Sequence, residues 1–184
     1  MLTKAELRIA LRKQRQLSQN NGFFWKSCPC EVRNEFTRRL APGMTVAGYA
    51  AMGSEVDPAP LLDLAAERGC SLALPFLANR EAMMEFRRWH PEGALERADF
   101  GFFQPAAGTL PASPDLIIVP LLGFDRAMHR LGQGAGHYDR AFPNYPNALK
   151  IGLAWTSQQV DALPVDPWDI PLDAILTERE WISA

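Results

Sequence analysis

The run Leu116-Ile117-Ile118-Val119-Pro120 is apolar without a break. It is too short for most helices and too apolar for a strand with one wet face, so it predicts a strand buried on both faces. Residues 149–155 (LKIGLAW) and 70–76 (CSLALPF) repeat the pattern. Residues 44–52 (MTVAGYAAM) predict another strand, and 174–177 a last short one. Residues 83–89 (MMEFRRW) carry charge on one face and predict an edge strand. Thr3-Lys4-Ala5-Glu6 is a capping box that opens a helix over 4–16. On that helix Lys4, Arg8, Arg12 and Arg15 fall within about 80° of one another, with Leu7 and Leu11 on the adjoining flank. That stripe reads either as a solvated basic face or, through Lys4 and Arg8, as a grip on an anion. Further helices are expected at 31–40, stopped by Ala41-Pro42-Gly43, at 60–68 before Gly69, and briefly at 158–163. Residues 18–30 read as a polar connection. Residues 90–114 are rich in Gly, Pro, Ala and Phe, and Phe100, Phe102 and Phe103 read either as walls of a pocket or, the favoured reading, as core cover beneath a long loop.

Strand, loop, helix and strand over 44–76 make the unit of a parallel sheet. Five or six strands alternating with helices predict an α/β protein: a three-layer α/β/α single domain over 1–184 with a mainly parallel central sheet. The loops at 53–57, 121–138 and 156–169 each follow a strand, at the carboxyl ends where open α/β sheets bind ligands.

The richest of these loops follows the buried strand. Gly123, Gly132, Gly134 and Gly136 let the backbone take positive φ and bring its N–H groups close to a ligand. Arg126, Arg130 and Arg140 add positive charge, and His137-Tyr138-Asp139-Arg140 reads as the first turn of a helix. The pattern points to a polyphosphate site at a strand end. It contains no G-x-x-x-x-G-K-[ST], and Gly132, Gly134 and Gly136 give G-x-G-x-G rather than the dinucleotide fingerprint.

Composition narrows the rest. At 184 residues, 47% hydrophobic and 22% charged, the chain can bury one sizeable core. A net charge of −2 gives no reason to expect nucleic acid or an anionic membrane as partner. No apolar run approaches the ~20 residues that span a bilayer, and the N-terminus has no apolar segment of secretory type. Cys28, Cys30 and Cys70 are an odd set that predicts no disulfide framework, so a cytoplasmic protein is expected. Cys28-Pro-Cys30 reads as plain loop thiols, and His90 and His129 as surface or loop residues.

The string FD-x4-RLG-x-G-x-G-x-YD over 124–139 is similar to the signature of the 5-formyltetrahydrofolate cyclo-ligase family, the methenyltetrahydrofolate synthetases. Other features fit the same resemblance. Lys4 and Arg8 stand as K-x-x-x-R, and Tyr49 leads to Glu55-Val56-Asp57. Val119-Pro120 precedes Phe124-Asp125, and Asp169 and Asp173 precede the last strand. The resemblance implies ATP- and Mg²⁺-dependent cyclisation of 5-formyltetrahydrofolate to 5,10-methenyltetrahydrofolate, with ADP and phosphate released. It also implies a fold like that of ribose-5-phosphate isomerase and the CoA transferases.

By the same resemblance, Lys4, Arg8 and Arg130, with Leu131, Gly132, Gln133, Gly134, Ala135, Gly136, His137 and Tyr138, would hold ATP. Lys4 and Arg130 would act on the transferring phosphoryl group. Asp139 and Asp169 would hold Mg²⁺. Met52, Glu55, Tyr138 and Trp155 would bind the folate, with Glu55 accepting pterin N–H groups. Four positions depart from the family pattern. Gln133 and Ala135 stand where the glycine loop usually has a basic residue, His137 where an aromatic is common, and Met128 where Gly is frequent. A monomer acting on small molecules is expected. A folate- or nucleotide-binding regulatory protein on the same fold is the alternative, and the intact Lys4, Arg8, Arg130, Asp139 and Asp169 argue against it.

Overall fold

The computed structural model describes residues 2–19, 26, 28–98 and 101–183. Helices α1 (Lys4–Gln19) and α2 (Cys30–Thr37) precede β1 (Thr45–Ala47), α3 (Ala59–Glu67), β2 (Ser71–Phe76) and β3 (Glu85–Trp89). Then come β4 (Leu95–Arg97), β5 (Phe103–Pro105), β6 (Pro111–Ala112), β7 (Leu116–Pro120), β8 (Gly123–Phe124) and β9 (Arg130–Leu131). The chain continues through α4 (His137–Ala141), β10 (Leu149–Leu153), β11 (Ala174–Leu176) and β12 (Trp181–Ser183). Eight strands form the main sheet in the order β12-β11-β10-β7-β1-β2-β3-β6. The run β11-β10-β7-β1-β2 is parallel, and β12, β3 and β6 are antiparallel additions at its flanks.

The alternation of side chains along β7 divides the core. Leu116 and Ile118 face one hydrophobic cluster with Val32 and Phe36 of α2 and Leu61, Leu62 and Ala65 of α3. Ile117 and Val119 face the other, with Ala141 of α4, Phe142 and Phe124. A strand covered on both sides must be apolar throughout, which is why β7 shows no polar alternation. Helix α1 starts where its capping box places it: Glu6 N–H donates to Thr3 Oγ1 and Thr3 N–H to Glu6 Oε2. It docks through Leu11 against Leu122, Leu131 and Leu163. Fully burying one leucine is worth roughly 1.5–3 kcal/mol. Among the described residues no helix is long and apolar enough to cross a membrane.

Several expected elements differ. The strand at 44–52 ends at Ala47. Gly48 N–H still bonds Ala73 O, and the chain then leaves the sheet to make a wall of the cavity described below. The strand at 83–89 is not the edge, because β3 is covered by β6. Period-2 charge shows which face is wet, not which neighbours a strand has. Residues 90–114 hold β4, β5 and β6 rather than one loop. The sheet's eight strands exceed the expected five or six because β6 and β12 are too short to show a period. The helix at 158–163 is replaced by a 3-10 turn, Thr156–Gln158. Gln159 is extended and bridges to Phe124, and Val160 N–H bonds Phe124 O, so the segment is held to the hairpin. The expected connection at 18–30 lies largely outside the described residues, as does Phe100. Cys28, Cys30 and Cys70 are free thiols.

Candidate active site

In chain order the parallel strands β1, β2, β7, β10 and β11 lie in the arrangement 2-1-3-4-5. The order reverses between β1 and β7, and a crevice opens there beyond the carboxyl ends of the strands. The cavity of about 600 Å³ lies at that point. Tyr49, Ala50, Met52 and Glu55 come from the segment after β1, Pro120 and Leu121 from the end of β7, and Lys4 and Arg8 from α1. The rest of its wall includes residues 130–140, the loop bearing Asp166, Trp168 and Asp169, and the side chains of Met84, Phe102 and Phe103.

The hairpin β8–β9 delivers Arg130, and Asp125 builds its turn. Asp125 is 2% exposed. Its Oδ1 accepts the N–H groups of Ala127 and His129, and its Oδ2 accepts that of Leu163. Oδ2 also lies 3.1 Å from His129 Nδ1, so His129 is a loop residue held in this turn. Met128 takes φ +67° in this turn. That conformation is strained for a side-chain-bearing residue and explains why glycine suits the position. Arg130 then donates through Nη2 to Asp139 Oδ1 at 2.6 Å and through Nη1 to Ile170 O. Burial pulls the Arg130 guanidinium below its ordinary pKa range, against the attraction of Asp139. Ile170 N–H donates to the same Asp139 oxygen, so that carboxylate ties the hairpin to the 166–170 loop.

The glycine loop is held by its acceptors. Arg8 Nε donates to Gly132 O at 3.0 Å, Arg12 Nη2 to Gln133 Oε1 at 2.9 Å, and Arg140 Nη1 to Ala135 O at 2.8 Å. The positive charge missing from inside the loop is thus supplied around it by three arginines. Gly134 takes φ +111° and Gly136 φ +65°. Among the described residues, no backbone N–H of residues 133–136 donates within the protein. Unpaired N–H groups in a loop of this curvature, ringed by guanidinium groups, form an anion cradle. His137 begins α4 beside them. Burial and the neighbouring Arg140 both lower its pKa from the ordinary imidazole value, which favours the neutral ring.

Lys4 Nζ contacts Asp166 Oδ2 at 2.6 Å and Asp169 Oδ2 at 2.5 Å. Burial alone would lower the Lys4 pKa, but the two carboxylates outweigh it and raise it. Burial likewise pushes Asp169 up, but the Asp166 N–H and Lys4 overcome it and hold it below its usual value. At the other end the wall turns apolar. Glu55 is the charge there: its Oε2 accepts Met52 N–H at 3.0 Å, and its Oε1 lies 3.6 Å from Arg15 Nη1. Tyr138 is half-buried on the cavity wall, and desolvation raises its phenol pKa well above the ordinary range, so it is a neutral O–H.

A magnesium ion fits this donor set in one way. Asp139, Asp166 and Asp169 offer the hard oxygens it prefers. Among the described residues no three acidic, histidine or cysteine side chains gather closely enough to cage a metal. The ion would therefore share its shell with phosphate oxygens and water, as Mg²⁺ commonly does.

Of the residues singled out from sequence, Lys4, Arg8, Met52, Glu55, residues 130–139 and Asp169 line this one cavity. Trp155 does not. It is 8% exposed and packs with Leu153 and Leu176 on the α2/α3 side of the sheet. The carboxyl end of β10 turns it into the core, which an aromatic at a strand end does not reveal. Of the two readings for Phe102 and Phe103, the pocket wall holds for both, since they line the cavity and Phe103 is 47% exposed, while Phe102 also packs on the core. Arg15 also leaves the expected stripe, since it is 4% exposed and bound to Ser54 and Leu121. Sequence reasoning missed Tyr49, Met84, Asp166 and Trp168 as lining residues. Only the D-x-x-D spacing of Asp166 and Asp169 carried any signal for them.

Fold and cavity together define an α/β protein that joins an anion cradle to an apolar cleft at the switch point of its sheet. Residues 1–178 match the model of the 5-formyltetrahydrofolate cyclo-ligase family, and the chain belongs to that family of folate-dependent ligases. It is 32% identical to the 5-formyltetrahydrofolate cyclo-ligase of Mycolicibacterium smegmatis, over 99% of this chain and 97% of that one. It is 35% identical to that of Escherichia coli over 74% of this chain and 81% of that one. The solved structure of Aquifex aeolicus 5,10-methenyltetrahydrofolate synthetase superposes with a TM-score of 0.77 at 30% identity, covering 99% of this chain and 93% of that one.

Proposed function

We propose that this protein closes 5-formyltetrahydrofolate to 5,10-methenyltetrahydrofolate, using ATP and Mg²⁺ and releasing ADP and phosphate. The observation that carries the reading is one cavity with two chemically different halves. The N–H cradle of 133–136 with Arg8 and Lys4 meets an apolar half bearing Glu55. An amide-type oxygen on the N5 formyl group is a poor leaving group. Its attack on the terminal phosphorus of ATP breaks the P–O bond to ADP and leaves an imidate phosphate. N10 then bonds the formyl carbon, its proton is lost, and the C–O bond breaks as inorganic phosphate departs.

Phosphoryl transfer depends mostly on positioning and on charge stabilisation. Arg130 and Lys4 would meet the charge on the moving phosphoryl group, and the 132–138 backbone with Arg8 would hold the rest of the triphosphate. Asp139 and Asp169, with Asp166 beside them, would hold Mg²⁺, which neutralises phosphate charge when bound. Glu55 would accept N–H groups of the pterin, and Met52, Tyr138, Phe102 and Phe103 would supply its flat apolar walls. We extend the reading to a monomer working in the cytoplasm, where its three free thiols would stay reduced.

The test is absorbance growth in the methenyl-folate band on mixing protein, Mg·ATP and 5-formyltetrahydrofolate, with each component omitted in turn. Product without ATP, or no product with everything present at high enzyme concentration, rejects the reading.

A further inference from the structure

We propose that Arg15 is a positioning residue for the reduced folate, holding the Glu55 carboxylate in place from behind the cavity wall. The inference rests on the folate half of the reading above. Arg15 lies on α1 with Lys4 and Arg8, yet it does not line the cavity. Its side chain is 4% exposed. Nε donates to Ser54 Oγ at 3.1 Å, and Nη1 donates to Leu121 O at 3.2 Å. The same Nη1 stands 3.6 Å from Glu55 Oε1, whose side chain is 6% exposed and faces the cavity. One guanidinium therefore joins α1, the loop after β1 and the end of β7, the elements that meet at the switch point.

The chemistry favours a task for this group beyond packing. An ionised carboxylate this enclosed is costly unless it is paired and hydrogen-bonded. Glu55 receives one N–H, from Met52, and the guanidinium charge. A carboxylate offers about four lone-pair sites, so acceptor capacity remains for donors that enter the cavity. A pterin ring presents such donors. Arginine suits the position because its rigid fork reaches several acceptors at once, whereas a lysine ammonium would act as a point charge. The helix that brings Lys4 and Arg8 to the phosphate half thereby fixes the acceptor of the folate half.

The test compares Arg15→Met, Arg15→Lys, Glu55→Gln and the double variant Arg15→Met/Glu55→Gln with the wild type. Calorimetry measures 5-formyltetrahydrofolate affinity without nucleotide, steady-state kinetics gives kcat and KM for ATP separately, and thermal melting reports stability. Arg15→Met should weaken folate binding about tenfold or more, roughly 1.4 kcal/mol, while KM for ATP shifts by no more than about twofold. Arg15→Lys should recover part of the loss. The double variant should bind folate no more weakly than the worse single one, because both remove the same coupled unit. Additive losses, or equal changes in both substrates that track the melting temperature, would overturn the proposal.

If Arg15→Met does not fold, Ser54→Ala decides. It removes one anchor of Arg15 without lining the cavity, and it should weaken folate binding about threefold with ATP unaffected. Unchanged folate affinity in that variant would reject the positioning role. A wild type that binds folate but makes no methenyl product sinks the proposed reaction and leaves Arg15 standing. A wild type that binds no folate removes both.

Discussion

Asp139 is where one atom is asked to do most. Its Oδ1 already takes Arg130 Nη2 and Ile170 N–H, so any metal it shares must bind through the same small carboxylate. Asp139→Asn keeps the shape and removes the charge. Turnover should fall by about two orders of magnitude or more, since each ~1.4 kcal/mol of lost transition-state stabilisation is tenfold. The Mg²⁺ requirement should rise, and the melting temperature should fall while the fold stays intact, because the nearly buried Arg130 loses its charged partner. Near-normal turnover at limiting Mg²⁺ would leave Asp139 as a clamp for Arg130 alone. Lys4→Ala and Arg8→Ala give a second prediction at this scale. Partly solvated ion pairs contribute about 0–1 kcal/mol to folding, so both variants should melt near the wild type while ATP binding or turnover falls. Wild-type kinetics in both would make the stripe merely a solvated face. That Lys4, Arg8 and residues 130–139 belong together was legible because glycine spacing and charge are local signals, and they line one cavity. Trp155 and Phe103 could not be assigned to core or cleft from sequence, because an aromatic in a strand end or loop looks alike whether it faces one or the other.

Among the elements, the glycine loop makes the sharpest demand on backbone geometry. Gly134 at φ +111° lies in a region that L side chains rarely adopt, and an added Cβ would meet the Arg8 guanidinium carbon at 3.5 Å. Gly134→Ala should therefore reshape the cradle and cost at least about tenfold in ATP affinity, with a destabilisation of roughly 1–3 kcal/mol. Calorimetric titration of Mg·ATP checks the first figure and denaturant melts the second. Wild-type affinity would mean that the loop does not wrap the phosphates. Helix α1 was readable in start and in face through Thr3, Glu6, Leu7 and Leu11. The ends of β1 and the 158–163 segment were not, because Gln159 is extended by pairing with Phe124, a partner 35 positions away (159 − 124).

For the molecule as a whole, charge pairing across the cavity ties stability to pH. Lys4 closes α1 onto the loop of Asp166 and Asp169. Asp169 is held below its ordinary value, so its contribution is present above its unfolded pKa of about 3.9. That contribution is lost as pH falls through the lower folded value. Lys4 is raised, so its contribution is complete below about pH 10.4 and is lost only as pH rises through its higher folded value. Denaturant unfolding of wild type and Lys4→Met should differ most between about pH 5 and 9, and the gap should close toward pH 3. A gap that is constant with pH would show that the difference comes from packing rather than from the ion pairs.

The sequence by itself determined the period of the strands, the start of α1 and the family signature over 124–139. Each depends on residues near one another in the chain: an apolar run buried on both faces, a capping box, glycines spaced for positive φ. Only the tertiary structure decided which loops meet. It put the reversal of strand order between β1 and β7, drew Asp166 and Trp168 to the cavity, and sent Trp155 into the core. It also separated Arg15 from Lys4 and Arg8, although all three share one stripe of one helix. The physical reason is that a helical period specifies a face, whereas what that face touches along its length is set by whichever strand ends pack beneath it.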